Sequence, residues 1–148
     1  VRPGVRVLDV GAGTGIVSLT AAHLGARATA LDHDAFSRAV ILRAAELADV
    51  HVEVRDYDVA GDDPLPAADL TVFADVLYEP ELARAAARRT AEALAAGSRV
   101  LVTDPGRFAR AEYQRVLRDA GVDVAFDDVV VRVPGEAQPS RVGVWLAG

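Results

Sequence analysis

Short apolar runs alternate with stretches of helical spacing along most of this chain, and the pattern predicts alternating strands and helices. Five runs rich in valine, leucine and alanine are predicted as strands: Val5–Val10, Ala26–Leu31, His51–Arg55, Leu70–Ala74 and Arg99–Thr103. The stretches predicted as helices are 16–24, Ala35–Ala48, Glu81–Ala96 and Phe108–Ala120. Two further apolar segments follow each other without a helix between them: Val122–Val133 and Arg141–Leu146.

Glycine and proline mark the ends of the predicted helices. Gly25 and Gly97 stand where the first and third helices stop, and Pro80 stands in the first turn of the third. The third helix has its acidic residues early and its arginines later, which complements the helix dipole. The apolar spacing of the first helix places four side chains on one face: Ile16, Leu19, Thr20 and Leu24.

The order of these elements predicts an α/β fold. Strands that alternate with helices form a parallel sheet with helices on both faces, because right-handed crossovers place each helix over the sheet. The last two strands lack an intervening helix and should pair antiparallel. We therefore expect one domain over residues 1–148: a Rossmann-like, doubly wound, seven-stranded sheet, mostly parallel with an antiparallel C-terminal strand. Because Val1 lies just before the first strand and methionine is absent, we expect a native N-terminal segment to be missing.

Composition and charge narrow the range of functions. The net charge is −6, and residues 1–74 hold 6 arginines against 11 acidic residues, which argues against a nucleic-acid partner. No apolar run approaches the roughly 20 residues of a membrane span, so we expect no membrane association and a cytoplasmic location. Cysteine and lysine are absent, which excludes thiolate and Schiff-base chemistry. The three histidines lack metal-ligand spacing, so we expect no metal site, and we expect a monomer.

A glycine-rich turn follows the first strand. Gly11, Gly13 and Gly15 let the backbone approach a ligand, and the helix that follows offers free N–H groups. A dinucleotide fingerprint needs glycine or alanine at the position of Ile16, where isoleucine would crowd a pyrophosphate. The turn therefore suits a ligand with an amino-acid end. Acidic residues at or near strand ends should face the same edge of the sheet: Asp9, Asp32, Asp56, Asp75 and Asp104.

The sequence Val7-Leu8-Asp9-Val10-Gly11-Ala12-Gly13-Thr14-Gly15 resembles the cofactor loop of class I S-adenosylmethionine-dependent methyltransferases, and the resemblance runs over the whole chain. It implies S-adenosyl-L-methionine as the cofactor, with its ammonium held by Asp9 and its ribose by Asp32. It also implies that Asp56 accepts from the adenine amino group, with Tyr57 near the ring. The complete set of cofactor-binding residues expected from the resemblance is Asp9, Gly11, Ala12, Gly13, Thr14, Gly15, Asp32, His33, Asp56, Tyr57 and Ala74.

Three further segments resemble narrower groups within that superfamily. Asp75-x-x-Tyr78, after the fourth strand, is similar to the signature of the seven-strand protein-lysine methyltransferases. The segments 100–107 and 142–145 resemble the electron-transfer flavoprotein β-subunit lysine methyltransferases, whose bacterial relatives are often labelled nicotinamide N-methyltransferase-like. The resemblance implies that Asp75 and Tyr78 are catalytic residues, which hold and orient a lysine amine.

The identity of the acceptor stays open among several alternatives. A lysine amine on a protein substrate is the leading hypothesis, and another protein side chain or a small-molecule amine is the alternative. A non-catalytic methyltransferase-like scaffold is a third. A nicotinamide-cofactor oxidoreductase on the same sheet is disfavoured, since Ile16 interrupts the fingerprint and the last two strands lack a helical crossover.

Overall fold

The computed structural model describes residues 1–132, 135 and 137–148. In chain order, the strands in this part of the chain are β1 Arg6–Val10, β2 Arg27–Asp32, β3 Val52–Asp56, β4 Leu70–Ala74, β5 Arg99–Asp104, β6 Asp127–Val131 and β7 Ser140–Ala147. The helices are α1 Ile16–His23, α2 Ala35–Leu47, α3 Pro80–Ala95 and α4 Arg110–Asp119.

The seven described strands form one sheet in the order β3-β2-β1-β4-β5-β7-β6. Strands β1 to β5 are parallel, whereas β7 runs antiparallel to both β5 and β6. This arrangement confirms the predicted fold class, including the antiparallel ending. The strand order reverses between β1 and β4, and in open α/β sheets ligands bind beyond the carboxyl ends of the strands at such a point.

The two faces of the sheet are buried by different pairs of helices. Successive side chains of a strand point to opposite faces, so Val7 packs with residues of α1 and α2, and Leu8 packs with residues of α3 and α4. At the centre of the second face, the fully buried Tyr113 shares a hydrogen bond of 2.9 Å between its hydroxyl and the Thr90 hydroxyl. The central strands β1 and β4 are therefore covered by helices on both faces.

Helix α1 turns a different face to the sheet from the one its apolar spacing suggests. Ile16 and Leu24 are 68% and 50% exposed, while Ser18 and Ala21 are buried. Small side chains allow this helix to lie close to the sheet, and the Ser18 hydroxyl is satisfied by donating to the Gly15 carbonyl at 3.0 Å.

The predicted strand Val122–Val133 is shorter in the structure, where β6 spans Asp127–Val131 and Val133 lies outside the described residues. Residues 122–126 are irregular because they wrap the end of α4: Val124 is buried, and its carbonyl accepts from the Gln114 side chain at 3.2 Å. The other boundaries differ from the predicted ones by at most two residues.

Strand β6 lies at the edge of the sheet, and all five of its residues are exposed. Among the described strands it pairs with β7 alone, and its three valines, Val129 to Val131, are between 38% and 59% exposed. None of the described helices is both long and apolar enough to cross a membrane.

Candidate active site

The glycine turn between β1 and α1 has three residues with positive φ: Gly11 at 71°, Gly13 at 53° and Gly15 at 76°. A Cβ on Gly11 would lie 2.9 Å from Val76 Cγ1, and one on Gly15 would lie 2.7 Å from Ile41 Cγ1. A Cβ on Gly13 would meet nothing within 4 Å. Packing therefore requires the first and third glycines, while the second borders open space.

That open space is a cavity of about 500 Å³ at the carboxyl ends of β1, β2 and β4. The predicted site residues that line it are Asp9, Gly11, Ala12, Gly13, Thr14, Asp32, His33, Ala74, Asp75 and Tyr78. The sheet thus brings together the glycine turn, two acids at strand ends and the proposed catalytic pair.

Asp9 is the buried carboxylate of this cavity, with 2% of its surface exposed. It accepts a hydrogen bond of 3.0 Å from the Ser18 backbone N–H, in the first turn of α1. Burial raises the pKa of Asp9 to about 6 against the lowering effect of that hydrogen bond, and the charge of Asp32 adds to the rise. A cation placed in the cavity would favour the ionised form.

This elevated pKa predicts how Asp9 affects folding. Between about pH 4 and pH 6 the unfolded chain has lost the Asp9 proton while the folded protein keeps it, so this residue lowers stability as pH rises. Asp9→Asn removes this titration. The difference in free energy of unfolding between Asp9→Asn and the wild type should therefore shift in favour of the variant, by up to about 3 kcal/mol, from pH 4 to pH 7. Urea unfolding at both pH values measures this. The exposed Asp62→Asn is the control, and a pH-independent difference for Asp9→Asn would contradict the assignment.

Asp32 closes the cavity at the end of β2. One carboxylate oxygen accepts from the Gly13 N–H at 2.8 Å, and the other accepts from the Asp34 N–H at 2.9 Å. The carboxylate therefore fixes the open side of the glycine turn as well as facing the cavity. Asp34 also lines the cavity, but its side chain caps α2 by accepting from the Ser37 N–H at 2.9 Å.

The roles of these two acids can be separated by substitution. Asp32→Ala should weaken binding of S-adenosylhomocysteine by roughly 10- to 100-fold, the value of a hydrogen bond to a charged group. Asp34→Ala should lower the free energy of unfolding by about 1 kcal/mol through loss of the cap, with little change in affinity. Calorimetric titration and thermal unfolding of both variants test this, and normal binding by Asp32→Ala would move the ribose contact to Asp34.

Three of the predicted cofactor residues lie outside the cavity lining. Gly15 packs beneath Ile41, as described above. Asp56 is exposed and forms an ion pair with Arg38 at 3.2 Å. Tyr57 is buried in the core beside Arg89, and its hydroxyl donates to the Asp63 carbonyl at 2.9 Å. The proposed adenine contacts of Asp56 and Tyr57 therefore find no support in the cavity.

The cavity also has lining residues that the motifs did not indicate: Ile16, Val17, Asp34, Ser37, Val59, Val76 and Leu82. Most are apolar, and the sequence gives no sign that an apolar residue near the end of a strand belongs to a binding site. Val59 lies two residues beyond Tyr57, in the segment after β3, and lines the cavity.

Asp75 follows β4 directly and has a φ of 57°, a conformation uncommon for a residue with a side chain. Both of its carboxylate oxygens accept from Arg107: Nε lies 2.6 Å from Oδ1 and Nη2 lies 2.7 Å from Oδ2. Tyr78 is 45% exposed and lines the same cavity. Both residues of the predicted pair thus line the same cavity. Asp75 also has an arginine partner that the sequence motifs did not assign to the site.

Several solved structures share this fold. Magnesium protoporphyrin IX methyltransferase (ChlM) from Synechocystis PCC 6803 with bound SAM superposes with a TM-score of 0.72 and 19% identity, over 99% of this chain and 71% of that chain. Precorrin 8W decarboxylase from Methanobacterium thermoautotrophicum superposes with a TM-score of 0.73 and 19% identity, over 99% of this chain and 83% of that chain. TehB from Haemophilus influenzae superposes with a TM-score of 0.67 and 19% identity, over 97% of this chain and 57% of that chain. At this level of identity the similarities establish the fold alone.

The class of the protein is established by its sequence family. A sequence profile of the ribosomal protein L11 methyltransferase (PrmA) family matches residues 1–99, and the chain belongs to that family. It is therefore an S-adenosylmethionine-dependent methyltransferase, rather than an oxidoreductase or a scaffold. The more specific branch suggested by the segment 100–107 stays a hypothesis. Among curated proteins, no sequence matches this chain significantly.

The residues present fit S-adenosylmethionine as the cofactor. The open side of Gly13 leaves room for a ligand against the backbone, and Asp9 supplies a carboxylate for an ammonium group. Apolar side chains, among them Val59 and Leu82, complete the wall. Across the described residues, no group of three or more His, Asp or Glu side chains is arranged to hold a metal ion.

Proposed function

We propose that this methyltransferase methylates an amine, and specifically a lysine amine on a protein acceptor. The observation that carries the proposal is the position of Asp75 and Tyr78, two hydrogen-bond acceptors that line the cavity next to the glycine turn. A carboxylate there attracts a cationic group and would repel a carboxylate acceptor. The family name, which specifies a ribosomal protein as the acceptor, supports a protein substrate.

The reaction depends more on the orientation of the amine than on acid–base catalysis by the protein. S-adenosylmethionine supplies a methyl group bound to a positively charged sulfur, which makes the methyl carbon electrophilic. An ammonium group has no lone pair, so the acceptor must first release a proton to water. Asp75 then accepts a hydrogen bond from a remaining N–H of the amine, and the Tyr78 hydroxyl offers a second acceptor. Fixing the amine in this way lowers the entropic part of the barrier.

Tyr78 has the exposure that this role requires. Its side chain is 45% exposed, whereas Leu77 beside it is fully buried in the core. Pro80 starts α3 two residues later, which ends the loop and keeps Tyr78 near the end of β4. A tyrosine that served only to pack on the sheet would be buried, as Tyr113 is.

A small-molecule amine is the second candidate. Asp75 is accessible, with 48% of its side chain exposed, and the groups that would hold a lysine amine would also hold a free amine. The magnesium protoporphyrin IX methyltransferase of the same fold takes a small molecule, as its name states. A protein acceptor is favoured because the family name specifies one.

Transfer of a labelled methyl group decides between these acceptors. The enzyme is incubated with methyl-tritiated S-adenosylmethionine and a cell lysate, which is then separated into protein and small-molecule fractions. We expect label in protein, recovered as methyl-lysine after hydrolysis. The amount of label transferred should be strongly reduced with Asp75→Asn and unchanged with the exposed control Asp62→Asn. Label confined to small molecules, or released from protein as volatile methanol by base, as from a methyl ester, would contradict the protein-lysine proposal.

A further inference from the structure

Arg107 contacts Asp75, a residue of the cavity lining, from a loop that is anchored by a buried carboxylate. It lies in the loop after β5, where the fully buried Asp104 accepts hydrogen bonds from the backbone N–H groups of Gly106 at 3.0 Å and Arg107 at 3.1 Å. Asp104 is itself paired with Arg110 of α4. The backbone of Arg107 is thereby fixed, and its side chain reaches across to the loop after β4.

The guanidinium of Arg107 is matched to the carboxylate of Asp75. Two parallel hydrogen bonds of 2.6 and 2.7 Å form a bidentate pair, which is the strongest geometry for these groups. The carboxylate of Asp75 raises the pKa of Arg107, with Asp104 adding to the effect, so the arginine stays charged. Arg107 is not among the lining residues of the cavity, so it offsets the charge of Asp75 from outside the lining.

The other charged and titratable groups around this pair do not replace that positive charge. On the cavity wall they come from β1, from β2 with the turn after it, and from the loop after β4: Asp9, Asp32, His33, Asp34 and Tyr78. Behind Arg107 they are Asp104 and Arg110, which pair with each other. Without Arg107, an acceptor amine would face a set of groups that is predominantly acidic.

An unpaired carboxylate would hinder the reaction proposed above. An opposite charge within about 4–6 Å stabilises the ammonium form of an amine and raises its pKa, by 1–3 units when the pair is shielded from water. The protonated amine lacks the lone pair needed for attack. A carboxylate already neutralised by a guanidinium can still accept an N–H hydrogen bond, but it holds the proton of the amine less strongly.

We propose that Arg107 is a positioning residue of the acceptor site, which fixes the Asp75 carboxylate and offsets its charge so that the acceptor amine is held in its neutral form. This role rests on the proposed function, since it presumes an amine acceptor. It assigns to Arg107 an effect on the protonation of the acceptor and none on cofactor affinity.

The first test measures binding of n-butylamine, the simplest mimic of a lysine side chain, to the complex with S-adenosylhomocysteine. NMR titration at neutral pH should show that Arg107→Gln binds n-butylamine about tenfold more tightly than the wild type, since its exposed carboxylate attracts the ammonium form; tenfold corresponds to about one pKa unit. Arg107→Lys keeps the positive charge and should resemble the wild type. Arg115→Gln is the matched control, because Arg115 pairs with Glu112 and Asp119 on α4, outside the cavity lining.

The second test is the pH dependence of methyl transfer. Arg107→Gln should transfer methyl groups about tenfold more slowly at neutral pH and recover at a pH about one unit higher, with a lowered KM and an unchanged affinity for S-adenosylhomocysteine. Tighter amine binding combined with slower turnover is a signature that loss of loop structure would not produce.

Equal n-butylamine affinity in Arg107→Gln and the wild type would overturn the proposal. Binding of butyrate by the wild type that is lost in Arg107→Gln would overturn it as well, by making Arg107 a recognition residue for carboxylates. Absence of methylated amine products from the wild-type enzyme would instead contradict the proposed function, and the n-butylamine titration would still decide the role of Arg107.

Discussion

Asp75→Asn is expected to lower the rate of methyl transfer by about 10²- to 10⁴-fold, as is typical when a positioned acid–base or orienting group is lost. Asparagine tolerates the positive φ of this residue, so the loop after β4 should keep its conformation. The variant replaces one of the acceptor oxygens that hold the amine with an NH2 group, and it leaves the charge of Arg107 without its partner. Steady-state kinetics with the acceptor fraction from the labelling experiment measure the loss.

Cofactor affinity and pH dependence separate this interpretation from a structural one. The affinity of Asp75→Asn for S-adenosylhomocysteine should be nearly unchanged, because the glycine turn, Asp9 and Asp32 lie on other elements. Its rate should rise more steeply with pH as free amine becomes limiting. Unchanged turnover, or joint loss of folding and cofactor affinity, would show that Asp75 only shapes the loop.

Gly13→Ala is expected to weaken binding of S-adenosylmethionine by about 100-fold or more, because the added methyl group fills the space against which the cofactor would lie. A Cβ at this position meets no protein atom within 4 Å, so the substitution fills cavity volume without a clash in the ligand-free fold. The positive φ costs roughly 1–2 kcal/mol of stability. Calorimetric titration and thermal unfolding measure the two effects separately.

The matched control is Gly97→Ala. Gly97 also has a positive φ, at 81°, and its Cβ would likewise meet nothing within 4 Å, but it lies after α3, away from the cavity. It should share the loss of stability and keep full affinity. Equal affinities in the two alanine variants would show that the cofactor does not lie against Gly13.

The fold followed from the sequence because its signals were local and repeated. Apolar runs of five or six residues, glycine after helices and Pro80 at the start of α3 each limit the backbone independently, and together they leave few topologies. Helix α1 was misread because its contacts depend on close approach rather than apolar area. Ser18 and Ala21 face the sheet, and spacing rules that count large apolar residues do not detect such a face.

The site was predictable where backbone conformation or charge carried the signal. Glycines at positive φ and acids at the ends of β1, β2 and β4 all reach the cavity, apart from Gly15, which packing requires. The end of β3 was not predictable in the same way, because Asp56 and Tyr57 have partners that only the tertiary structure supplies, Arg38 and the Asp63 carbonyl. Arg107 lies 32 residues from Asp75, and no spacing rule connects them.

The edge strand β6 has a charge order that affects how copies of the protein can meet. Asp127 and Asp128 precede its three exposed valines and Arg132 follows them. Unpaired backbone groups at an edge are a template for additional strands. Because the other edge of β6 is occupied by β7, only one edge is free, and pairing of two copies through it uses both free edges. Parallel pairing in register would set aspartates beside aspartates. Antiparallel pairing centred on Val130 would set Asp128 opposite Arg132. The order of charges along this strand therefore opposes a parallel pair of copies more strongly than an antiparallel pair.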